Sequence, residues 1–132
     1  MDAYLRRKGI DSSVADVVLE RLEKTSLLGD REFALFWTSN RQQFSPRGDR
    51  ALRYELSQRG VARENIEQAM VTLPTEIERA RLAAAKKLAS LSRGDPELIR
   101  TRLTAFLGRR GFGYTVCRQV VQELTDLDRV DE

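Results

Sequence analysis

Apolar residues along this chain recur three and four positions apart, not two. Val14, Val18 and Leu22 form one such stripe, and Val116, Val120 and Leu124 form another. Between them Ala69 and Leu73 continue a third, with Asn65 at its first position and Met70 beside it. A four-residue recurrence places side chains on one face of a helix. No run alternates with period two, so no strand is predicted. The stripes predict helices at about 13–23, 63–73 and 114–125.

Each stripe follows the same short signal at the same distance. Leu5, Leu56 and Leu107 stand 51 residues apart (5 to 56, 56 to 107), and each leads through three residues to a glycine and then an apolar residue. The segments read Leu5-Arg6-Arg7-Lys8-Gly9-Ile10, Leu56-Ser57-Gln58-Arg59-Gly60-Val61 and Leu107-Gly108-Arg109-Arg110-Gly111-Phe112. A helix ending at Lys8, Arg59 or Arg110 explains this pattern. Glycine takes positive φ most cheaply just past a helix end, and a cation in the last turn suits the negative end of the helix dipole. Ile10, Val61 and Phe112 are then expected to turn inward.

A further helix is predicted at about 30–42, opened by Asp30 as N-cap, and another at about 76–91, where Thr75 and Glu78 have capping-box spacing. Ser45-Pro46 precedes one remaining helix, and Asp95-Pro96-Glu97 opens the other with a cap, an N1 proline and a first-turn acid. The resulting fold class is all-α, an elongated array of tandem three-helix repeats at 1–44, 45–93 and 94–132. The first and last copies are incomplete: copy one keeps only the end of its first helix, and copy three stops after its second.

Composition narrows the function. Charged residues make up 33% and apolar residues 41%, and the net charge is +3. No stretch is apolar enough to cross a membrane, and the N-terminus lacks the basic-then-apolar order of a signal peptide. One cysteine, Cys117, rules out an internal disulfide and fits the cytoplasm. The chain has no histidine, which removes the commonest general base and metal ligand together. No catalytic, metal or cofactor constellation emerges.

Gly108-Arg109-Arg110-Gly111-Phe112-Gly113 superficially resembles a phosphate loop, but a helix rather than a strand precedes it, and the repeat explains Gly111 as a helix end. Cations are the main binding candidates: Arg6, Arg7 and Lys8 with Arg59, Arg109 and Arg110 at the helix ends, Arg41, Arg47, Arg50 and Arg53 around the junction of copies one and two, and Lys86-Lys87 on the later helix. Phe33, Phe36, Trp37 and Phe44 are candidates for a partner-binding aromatic patch, but core packing is the expectation for Phe33 and Trp37; Phe44 and Tyr54 stand near the junction cations. Glu76 and Glu78 read as first-turn acids, and Cys117 reads as a small core residue.

The leucine, three residues, glycine, apolar signal resembles the RecX family. Leu27-Leu28-Gly29-Asp30-Arg31-Glu32-Phe33-Ala34 is similar to that family's acid-x-x-Phe-Ala segment. Gly48-Asp49-Arg50-Ala51-Leu52-Arg53-Tyr54-Glu55-Leu56-Ser57-Gln58-Arg59-Gly60-Val61 resembles its second-unit signature, and Arg109-Arg110-Gly111-Phe112 its third. The resemblance implies a cytoplasmic, cofactor-free monomer that binds the RecA recombinase filament, inserts along its groove and inhibits its ATPase and strand exchange, with single- or double-stranded DNA as a further contact. Two other classes fit the residues less well. A helix-turn-helix DNA reader would not need three copies of one unit, and a general helical-repeat module for protein partners would bind no recombinase.

Overall fold

The computed structural model describes residues 29–91 and 94–130, with side chains as far as Asp126. The described residues form six helices and no strand: α1 Asp30–Phe44, α2 Asp49–Gln58, α3 Arg63–Met70, α4 Glu76–Ser90, α5 Pro96–Arg109 and α6 Tyr114–Val130. The fold is an all-α helical repeat. The expected helix at 13–23, the helix ending at Lys8, and Ile10 lie outside the described residues.

Local chemistry sets most boundaries. The Thr75 hydroxyl accepts from the Glu78 amide at 3.3 Å, and the Asp95 carboxylate accepts from the Glu97 amide at 3.1 Å with Pro96 opening the helix. Asp30 is the first helical residue rather than the cap; Gly29 holds the cap position with extended backbone and no side-chain bond. α3 is shorter than its apolar stripe. Its last carbonyls are taken by three-residue turns, from the amide of Thr72 to Ala69 and from that of Leu73 to Met70. Pro74 then follows, and it disfavours helical backbone at the residue before it.

The repeated glycine signal is a Schellman turn in both described copies. The Val61 amide reaches back to the Leu56 carbonyl at 3.1 Å, and the Gly60 amide to Ser57 at 3.0 Å. The second copy repeats this, with Phe112 to Leu107 at 3.1 Å and Gly111 to Gly108 at 3.0 Å. Gly60 and Gly111 have φ of 79° and 87°. The leucine supplies the buried partner for the apolar residue after the glycine, so Leu56 and Val61, and Leu107 and Phe112, are all core residues. One six-residue motif thus ends a helix, satisfies its carbonyls and turns the chain inward.

The described residues pack as two units, one of 29–45 and 53–73 and one of 46–52, 74–91 and 94–130. In the first, α1 packs on α3, and Phe33, Ala34 and Trp37 are buried, as are Leu56, Ile66 and Ala69. The Phe33 and Trp37 rings lie 5.7 Å apart and tilted by 40°. In the second, α4, α5 and α6 pack pairwise around Leu103, Leu107, Phe112, Cys117 and Val120. Ala80, Ala83 and Ala84 put small side chains on the buried face of α4, at the spacing that faces one neighbour.

Residues 46–52 join the second unit through a close backbone approach. The Gly48 amide donates to the Arg110 carbonyl at 2.9 Å. A methyl group on Gly48 would fall 2.2 Å from the Gly111 carbonyl oxygen, and one on Gly111 would fall 2.3 Å from Ala51 Cβ. The two turn glycines therefore face different constraints, since Gly60 has nothing within 4 Å of its absent Cβ. Gly60→Ala is expected to cost about 1 kcal/mol for its left-handed backbone. Gly111→Ala carries that cost plus overpacking and is expected to reach about 3 kcal/mol. Urea denaturation of the two variants side by side checks this; equal losses would mean that the Gly111 contact is not tight.

Candidate interaction surface

The cations singled out from the sequence occupy three kinds of environment. The first is internal. Arg41 is only 3% exposed, although it stands among the candidate contacts. Its Nε donates to Glu55 Oε1 at 3.0 Å, and the same oxygen accepts from Trp37 Nε1 at 2.8 Å. Its guanidinium lies 5.0 Å from the Trp37 ring centroid, and that of Arg59 lies 4.0 Å from it. Arg59 also donates to the Glu55 carbonyl at 3.0 Å. Trp37 is thus a fully buried ring with two guanidiniums against it, and one carboxylate holds both it and Arg41. This network ties α1 to α2, and Arg41 has too little exposure to meet a partner.

Arg79 plays a similar part in the second unit. It is buried, and it donates to the Pro74 carbonyl at 3.0 Å, to the Arg47 carbonyl at 2.6 Å and to the Asp49 carboxylate. Glu76, expected to serve its own helix, instead accepts from the Asp49 amide at 2.8 Å, satisfying an open donor at the start of α2. Neither Glu55 nor Arg79 carries an individual role in the sequence pattern. Beside near neighbours at Arg59 and Pro74, they bind groups 14 to 32 residues away, and no local spacing marks such pairs.

The second environment is the exposed ion pair. Arg53 grips Glu67 with two bonds of 2.9 and 3.0 Å, which hold that carboxyl below the usual carboxylate range. Arg81 and Glu123 form the same bidentate pair from α4 to α6, and the Arg81 hydrogen bond lowers the Glu123 carboxyl likewise. Both pairs are well solvated and add little stability.

The third environment ranges from exposed to half-buried surface. Arg50, Lys86 and Arg109 are exposed, Arg47, Lys87 and Arg110 half-buried. Lys87 on α4 and Arg110 just after α5 converge on one ring: Lys87 Nζ lies 5.4 Å and the Arg110 guanidinium 5.1 Å from the Phe106 centroid. The sequence reading did not single out Phe106. Arg6, Arg7 and Lys8 lie outside the described residues. Phe36 and Tyr54 are exposed, Phe44 half-buried, and Phe33 and Trp37 are in the core.

No group of His, Cys, Asp and Glu among the described residues is arranged to hold a metal, and no described helix is long and apolar enough to cross a membrane. Cys117 is buried, and desolvation pushes its thiol above the ordinary value.

Comparison with known proteins matches two consecutive segments to one family. Residues 30–70 match the second three-helix domain of RecX, and residues 75–121 match the third. The first match takes in α1 to α3, and the second α4, α5 and the first half of α6. These matches open a unit with α1, one helix away from where the 51-residue reading opened it; the period is indifferent to that choice. A "Regulatory protein RecX" from Amycolatopsis mediterranei is 34% identical over 125 residues, covering 90% of this chain and 71% of that protein. One from Prosthecochloris aestuarii is 37% identical over 120 residues, covering 91% and 78%. The crystal structure of RecX from Lactobacillus salivarius superposes with a TM-score of 0.61 over 94% of this chain and 81% of that one, at 21% identity, which shows a shared fold.

Two outcomes are expected. Glu55→Ala strands a buried guanidinium and removes the acceptor of the Trp37 indole; it should destabilise the protein by about 3–5 kcal/mol, read by urea denaturation. A loss below about 1 kcal/mol would show that the network is not cohesive. Cys117 should resist a thiol-specific reagent at neutral pH in the native protein and react promptly in urea; rapid native labelling would contradict its core position.

Proposed function

The chain belongs to the RecX family, and we propose that it binds the RecA recombinase filament on DNA and inhibits its ATPase and strand exchange, acting in the cytoplasm as a monomer without a cofactor. The observation that carries this reading is the consecutive match to the second and third RecX domains across helices built by one repeated turn. The curated relatives it matches are named regulatory proteins. A regulator of this kind works by binding, without chemistry of its own.

A helical filament presents the same subunit surface at regular intervals. A repeat array presents helices at regular intervals too, so several weak contacts can form together, and their sum is much tighter than any one. Arg and Lys suit the carboxylates of such a partner or the phosphates of its DNA. We assign this role to Arg50, Lys86, Lys87, Arg109 and Arg110; Arg41 supports the scaffold instead.

The test is RecA's ATPase on single-stranded DNA, with this protein added below RecA's molar concentration. Inhibition at that ratio is the expected result, because a filament-bound regulator acts on many subunits. An unchanged rate, with folding confirmed by circular dichroism, would overturn the proposal.

A further inference from the structure

The second unit is not one continuous stretch of chain. Its body is α4, α5 and α6, but residues 46–52 pack with it although they lie within the segment that matches the preceding three-helix domain. Residues 49–52 are the first turn of α2, while residues 53–58, the rest of the same helix, belong to the first unit.

This strap is held through its backbone as much as through its side chains. The Arg47 carbonyl accepts from Arg79 Nη1 at 2.6 Å, the Gly48 amide donates to the Arg110 carbonyl at 2.9 Å, and the Asp49 amide donates to Glu76 Oε2 at 2.8 Å. The Asp49 carboxylate pairs with the Arg79 guanidinium. Gly48 lies against the backbone of Gly111 and Phe112, and Ala51 lies against Gly111, with no room for a methyl group on either glycine. Loss of the strap would leave Arg79, a buried cation, without its carboxylate, which is strongly destabilising.

Independent domains are joined by exposed, flexible linkers, often rich in glycine or proline. Here the division falls inside a helix, between Leu52 and Arg53, and α2 contains neither residue type. A helix of ten residues is too short to persist alone and depends on its packing. The first turn of α2 is anchored in the second unit. Its later part is anchored in the first, where Glu55 accepts from Trp37 and Arg41.

We infer that residues 46–52 are a coupling strap, whose contacts make the two units unfold as one. Whatever binds and stabilises one unit then stabilises the other as well. The inference is independent of the filament reading. It departs from the usual behaviour of a repeat array, whose units contribute their stabilities separately and whose cooperativity can break down.

The test uses two probes that the full chain already carries. Trp37 is its one tryptophan and lies in the core of the first unit; Cys117 is its one cysteine and lies in the core of the second. Along a urea series, Trp37 fluorescence follows the first unit, and a brief pulse of thiol reagent follows the second. In the wild type the two midpoints should coincide. Gly48→Ala drives a methyl group into the Gly111 carbonyl, and Asp49→Ala removes the carboxylate that pairs with Arg79. In each variant Cys117 should become reactive about 1 M urea below the Trp37 midpoint. Gly60→Ala lies in the first unit, away from the strap. Alone it should lower both midpoints equally; in the Asp49→Ala background it should lower that of Trp37 only. Separate midpoints in the wild type would overturn the inference, and so would midpoints that still coincide in a folded strap variant. Should Gly48→Ala prove unfolded without urea by circular dichroism, Asp49→Ala alone decides.

Discussion

Everything in this fold hangs on how a helix is stopped. A helix leaves its last carbonyls without partners, and the chain must satisfy them while reversing into the core. Leu56-Ser57-Gln58-Arg59-Gly60-Val61 and Leu107-Gly108-Arg109-Arg110-Gly111-Phe112 solve both problems together. The glycine accepts positive φ, two amides fold back on two carbonyls, and the leucine and the residue after the glycine bury each other. The turn therefore fixes where the next helix starts and which way it leaves. α3 and α6 inherit their entry from it, and α1 and α4 then have a surface to cover.

That surface is apolar at its centre and ionic at its seams. Arg41 with Glu55, and Arg79 with Asp49, hold elements together where a hydrophobic contact would be less directional. A guanidinium can donate in several fixed directions, and Arg79 uses three of them on two carbonyls and a carboxylate. Such buried pairs contribute less net stability than their geometry suggests, because both charges lose water. They specify one arrangement, since any shift leaves a charge uncompensated. In a chain with so many arginines, part of the positive charge is therefore spent on architecture, and function must be sought in what is left on the surface.

The sequence revealed the turns and caps because both are local chemistry. Gly60, Gly111, Thr75 and Asp95 each act within a few residues of themselves. Phe33, Trp37 and Cys117 were legible as core because large or soft apolar side chains at helical spacing have nowhere better to go. The burial of Arg41 was not legible, since its carboxylate lies 14 residues away on another helix. Phe106 was passed over for a related reason: it matters through Lys87 and Arg110, one of them on a different helix. The phase of the repeat was hidden more deeply. A period of 51 residues is the same wherever counting begins, and only a comparison with whole domains marks α1 as the start of one.

The repeat also shows why its binding surface need not itself repeat. Arg59 and Arg110 occupy the same slot, the residue before the turn glycine, and each lies over an aromatic ring. The backbone delivers the cation to the same place twice. What it meets there differs: a fully buried tryptophan that already shares a carboxylate with Arg41, or a half-buried phenylalanine flanked by Lys87. In the first case the cation is drawn into the scaffold. In the second it stays half-buried at the surface, next to the exposed Arg109. Repetition fixes the position of a side chain, and its neighbours decide whether that position is structural or available to a partner.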